Sequence, residues 1–138
     1  MRSKCRLAVI VTMLAVVFTL PSSAAAQIDQ LSLSRDVQLG PEGASATTFV
    51  TVQCAEGFIG DVFVNIVQNN GGRLASGGGG ASVTCTGASQ ALTAPVGFSI
   101  FALKQGKATG TATLNVFDPV TFEGFSATTG PVPVRVHK

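Results

Sequence analysis

Apolar and polar residues alternate with a period of two through much of this chain, the pattern of half-buried strands. Across residues 47–54, Val50, Val52 and Cys54 fall on one face and Phe49, Thr51 and Gln53 on the other. Residues 61–68 repeat it, with Val62, Val64 and Ile66 opposite Phe63, Asn65 and Val67. Residues 108–117 alternate most cleanly, small and apolar at Ala108, Gly110, Ala112, Leu114 and Val116, with threonines at 109, 111 and 113 between them. Shorter strand-like pieces are read over residues 28–33, 37–39, 73–76, 83–86 and 132–136, and a long one over 91–103. The run over 91–103 is expected to bend or break near Pro95 and Gly97. Pro133 places the final piece at an edge, because proline cannot donate to a central ladder.

Turn chemistry separates these pieces. Asn69-Asn70-Gly71-Gly72 is a hairpin signal, since Asn and Gly tolerate the positive φ of tight turns. Gly77 to Gly80 are four consecutive glycines and read as a flexible loop. A phosphate cradle would need a following Lys-Ser/Thr and a helix start, and Ala81-Ser82-Val83-Thr84-Cys85 reads as a strand instead. Residues 121–130 read as a mobile connection. The expectation is an all-β fold: an antiparallel two-sheet, immunoglobulin-like sandwich of about seven strands. The likeness is architectural only, because no Trp lies between the cysteines.

The first 26 residues follow different rules. Arg2, Lys4 and Arg6 precede an uncharged apolar run over residues 7–20, broken by Pro21-Ser22-Ser23 and followed by Ala24-Ala25-Ala26. Positive start, apolar core and small-residue site make a cleavable signal peptide over residues 1–26, with the cut before Gln27. The apolar run is about 14 residues, short of the roughly 20 a membrane span needs. Residues 27–138 are then one secreted domain with no transmembrane segment.

Removing that segment changes the charge. The whole chain carries +2; without its three leading cations, six basic residues face seven acidic ones, a net −1. This leaves no basic patch for nucleic acid and no polybasic membrane contact. Cys5 leaves with the signal. Cys54 and Cys85 remain, an even pair with a single possible pairing, and a disulfide is its expected state outside the cytoplasm. It closes a loop of roughly 30 residues, worth about 3.5–4 kcal/mol in the chain-entropy model.

Catalytic chemistry finds little support. The single histidine, His137, is next to the C-terminus, where a general base is poorly held. With both cysteines in a disulfide, no zinc set remains, and the seven acids are spread singly without a calcium-loop pattern. The reading is of a non-enzyme with no metal and no cofactor. The candidate contact residues are Phe58, beside Gly57, and Phe122 and Phe125, within Val120-Thr121-Phe122-Glu123-Gly124-Phe125. Loop aromatics either anchor a partner or fold back as lids on the core.

The pattern Thr51-Val52-Gln53-Cys54, residues 62–68, Val83-Thr84-Cys85-Thr86-Gly87, and Gly106-Lys107-Ala108 leading into residues 111–116 resembles a family of small secreted actinobacterial domains of unknown function. The resemblance spans roughly residues 37–136 and implies a signal peptide followed by a two-cysteine sandwich. It implies no active site. The function expected is a secreted, non-catalytic binding domain with an unknown extracellular or cell-envelope partner. The alternative is a secreted enzyme or protease inhibitor, which needs a taut, exposed, disulfide-braced loop.

Overall fold

A computed structural model describes residues 27–98 and 101–138. The segment read as a signal peptide, with Cys5, lies outside the described residues. Eight strands follow one another: β1 (Ile28–Leu39), β2 (Ser45–Cys54), β3 (Ile59–Asn70), β4 (Arg73–Thr84), β5 (Gln90–Phe98), β6 (Gly106–Phe117), β7 (Gly124–Thr128) and β8 (Val132–His137), with one short 3-10 turn at Pro41–Gly43. No helix among the described residues is long and apolar enough to cross a membrane.

The expected open sandwich is overturned. The sheet runs β3-β4-β5-β2-β1-β8-β6, and β6 pairs again with β3, closing a seven-strand barrel. The eighth strand, β7, takes the same edge of β6 as β8. The first half of β6 pairs with β8 (Gly110↔Val132) and the second half with β7 (Thr113↔Thr128). Thr129 covers the join: its amide donates to the Ala112 carbonyl at 2.8 Å, and its hydroxyl accepts the Ala112 amide at 2.9 Å. β8 then pairs in parallel with β1, Val37 opposite Val136, so β8 is not an edge strand of the sheet, although Pro133 itself precedes the β1 ladder, which begins at Arg135. The neighbour of Pro133 across the β6 ladder is Thr109.

What lets one sheet curl this tightly is glycine. The run Gly77–Gly80 is the middle of β4, not a flexible loop. On one side it pairs with β3 (Gly80↔Phe63), and on the other with β5 (Gly77↔Phe98, Gly79↔Val96). A β-carbon on Gly79 would overlap the Pro95 carbonyl oxygen, and one on Gly60 of β3 would overlap the Asn115 carbonyl oxygen of β6. Glycine is thus required where the strands fold over one another at the barrel corners. Inside, Phe98 closes over Gly77 and Leu33 over Gly110, filling the space left by the absent side chains. β5 runs unbroken through Pro95, but its ladder to β4 stops at Val96, next to the proline that has no N–H to give.

The interior is apolar and filled. Val50, Val52, Cys54, Val62, Val64, Ile66, Leu114 and Val116 point inward, as the alternation predicts. The outer face mixes polar side chains with exposed Phe49, Phe63, Leu74 and Phe117. Two buried polar side chains are satisfied. Thr48 donates to the Asp36 carbonyl at 3.1 Å, where β1 bulges between Leu33 and Val37. Gln68 donates to the Lys104 carbonyl at 2.8 Å and accepts the Lys104 amide at 2.9 Å, pinning residues 101–105 to the end of the barrel.

Candidate functional site

The two ends of the barrel differ in build. One carries the Cys54–Cys85 disulfide, the start of β1, and the loops over residues 55–58, 85–89 and 118–123. The other carries the 3-10 turn, the β3–β4 turn, residues 101–105 and the end of β8.

At the disulfide end, the loop after β6 begins Asp118-Pro119, an aspartate placed to accept from the amides after it and a proline that presets the first turn. The Asp118 carboxylate accepts the Val120 amide at 2.8 Å and the Thr121 amide at 3.4 Å. Its backbone joins in: the Phe122 amide donates to the Asp118 carbonyl at 2.8 Å, and the Asp118 amide to the Glu123 carbonyl at 2.9 Å. The Val120 bond, with help from Thr121, holds the Asp118 carboxyl below the ordinary value of 3.8. It therefore stays ionised, and keeps accepting, at neutral pH. The segment read as a mobile connection is thus a closed turn over residues 118–123, followed by a regular strand, β7.

This turn displays apolar side chains. Val120 is 83% exposed and Phe122 is 79% exposed. Phe122 also sits at φ 61°, left-handed backbone that costs a residue other than glycine about 1–2 kcal/mol. The other two candidate aromatics are brought together apart from it. Phe58 is half-buried against the core and meets the Phe125 ring edge-to-face, centroids 5.7 Å apart. Phe125 lies on β7 rather than in a loop and is 38% exposed. Beside this pair is an open cleft of about 360 Å³ between β3, β6 and β7. Its polar side chains are already engaged: Ser126 donates to Asn115 across the cleft at 2.7 Å, and Asp61 accepts from Ser82, outside it, at 2.8 Å. The cleft therefore offers chiefly apolar contact.

Phe58 and Phe122 should separate in thermal or denaturant melts. Phe58→Ala is expected to cost about 2–3 kcal/mol, part of the penalty of a full core truncation, whereas Phe122→Ala should fall within about 0.5 kcal/mol of the parent. Equal losses at both positions would mean that Phe122 also packs on the core.

Sequence reasoning missed two features. Val120 is as prominent as Phe122, and its signal was the Asp-Pro turn that precedes it. The second is how charge is distributed. The disulfide end holds Asp29, Glu56, Asp61, Asp118 and Glu123, and among the described residues no Lys or Arg. Arg35, Arg73, Lys104, Lys107, Arg135 and Lys138 all lie in the opposite half, with Asp36 and Glu42. This segregation depends on which loops share an end, which no linear pattern displays.

His137 is not frayed; it closes β8 opposite Gln38, with Nδ1 3.9 Å from an Asp36 carboxylate oxygen. No cluster of three metal-ligating side chains occurs among the described residues. Comparison of the chain with models of protein families, with curated proteins and with solved structures finds no match.

Proposed function

We propose that this chain is an exported, non-catalytic interaction domain, and that its contact surface is the turn over residues 118–123 with Phe122 at its centre. The observation that carries the reading is the combination at Phe122. A large apolar ring is held out in water on strained backbone, by a turn closed through four hydrogen bonds. Strain kept where it stabilises nothing nearby points to a role outside the fold. Export is supported by the signal-like pattern of residues 1–26 and by a disulfide suited to an oxidising compartment. The resemblance to small secreted actinobacterial domains agrees with export and names no partner.

The inhibitor reading gains one observation. Gly77–Gly80, read from the sequence as a flexible loop, is strand; the loop that does protrude, over residues 118–123, is taut. It is nevertheless a compact turn, whereas binding by strand addition needs an extended segment, so the knob-like contact is the better fit.

Phe122→Gly tests the proposal through two opposed readouts. Relief of the left-handed strain should raise stability by about 0.5–1 kcal/mol, net of glycine's larger unfolded-state freedom. Binding of the partner should weaken about tenfold or more. A fall in stability, or unchanged binding to a partner captured by the wild type, would remove Phe122 from the contact surface.

A further inference from the structure

The end opposite the disulfide contains the counterpart of this knob. A recess of about 480 Å³ opens there between the 3-10 turn, residues 103–105 and the C-terminus. Leu39 and Leu103 line it, and Lys104, Lys138 and Glu42 stand on its rim. Its size falls within the range of about 300–1,000 Å³ that accepts small ligands, ample for one phenyl ring. The recess is also preformed. The Leu103 amide donates to the Gly43 carbonyl at 2.9 Å, tying its two walls together, and Gln68 fixes Lys104 from below.

We infer that the occupant of this recess is Phe122 of a second copy of the same chain, so that barrels associate head to tail. The inference rests on the reading of the 118–123 turn as a contact surface, and it names the partner. Shape and charge agree at both ends. The knob carries Phe122 and Val120 flanked by Asp118 and Glu123, on an end with five carboxylates and no described cation. The recess is lined by Leu39 and Leu103 and carries two lysines against one glutamate on its rim, on the half that holds all six described cations and two of the seven acids. Among the described residues the ion pair found is His137 with Asp36, so these lysines are available to carboxylates arriving from outside. Opposite potentials of this kind orient an encounter and suppress the head-to-head alternative. Because the two surfaces differ, the contact is heterologous, and repeating it gives an open-ended row rather than a closed dimer.

Analytical ultracentrifugation of the purified protein tests this with two variants, each changed only at exposed positions and each checked for an unaltered melt. Phe122→Ser removes the knob and keeps the recess. Lys104→Glu with Lys138→Glu reverses the rim and keeps the knob. Wild type should show a mass that rises with concentration at low salt, with association weakening at least about tenfold as screening increases. Each variant alone should be monomeric. Their equimolar mixture should form a one-to-one dimer and stop there, since each partner's remaining end is disabled. Wild type that stays monomeric, or association that persists in either variant alone, overturns the copy-to-copy contact. If wild type is monomeric but captures a protein from culture supernatant that Phe122→Ser does not, the contact surface stands with a different partner. Capture by both alike removes the surface as well.

Discussion

Replacing Gly79 by alanine is expected to prevent the barrel from forming. The added methyl group would occupy the position of the Pro95 carbonyl oxygen on β5, and neither group can rotate away because both belong to paired backbone. Relief requires β4 and β5 to separate where their ladder is only three residue pairs long. Overpacking in a core commonly costs about 1–3 kcal/mol. Here the clash is with main chain on a closure joint, so a loss above about 4 kcal/mol is expected, a large part of a small domain's stability. Gly60→Ala should behave alike at the β3–β6 joint, through the Asn115 carbonyl. Gly71→Ala has free space around it and pays only for its positive φ of 60°, which makes it a fitting control. Circular dichroism and denaturant titration of the three variants check this; a cooperative melt for Gly79→Ala within about 1 kcal/mol of the parent would contradict the closure argument.

Loss of the disulfide should have the next largest effect. From Gly80 to Thr84, β4 has no ladder to β5, so the wall is split at that end. Cys85, just after β4, is bonded to Cys54 at the end of β2, with Cα atoms 5.3 Å apart. Around it the Cys85 amide donates to the Phe58 carbonyl at 2.8 Å, and the Gly87 amide to the Cys54 carbonyl at 3.0 Å. The cross-link thus stands in for missing strand pairing as well as restricting the unfolded chain. Cys54→Ala with Cys85→Ala should lower stability by about 2–5 kcal/mol. Amide exchange should rise most over residues 80–89 and 55–58, ahead of the β3–β6 ladder. Exchange that rises uniformly would mean the bond acts through the unfolded state alone.

The sequence carried the strands better than their arrangement. Alternation at Val50, Val52 and Cys54, at Val62, Val64 and Ile66, and from Gly110 to Val116 placed the inward faces correctly, because one buried face leaves a period of two. Closure leaves no such trace. That β6 meets β3 on one edge and both β7 and β8 on the other is a matter of long-range pairing, and a sandwich would show the same periodicity. Gly77–Gly80 was misread because residues without side chains contribute nothing to an alternating pattern, although they are paired on both sides. Gln68 lies in a strand that was recognised, yet its buried bonds to Lys104 join residues 36 apart. At the contact surface, Phe58, Phe122 and Phe125 were singled out by residue type. Only the fold separates the interlocked Phe58–Phe125 pair from the outward Phe122, since the difference lies in backbone φ and not in composition.

The parallel pairing of β8 with β1 has a consequence for how the protein is made. β8 is the last of the described strands to be made, and it is the piece that fits between β1 and β6. Until residues 132–137 arrive, β1 keeps an unpaired edge and the ring has a gap one strand wide. Such a topology folds slowly, because its decisive contacts join distant parts of the chain. The earlier strands therefore cannot lock into a closed barrel until that segment is present. The order of the strands thereby makes the barrel all-or-none: its two open edges, on β1 and β6, are covered together by one short segment.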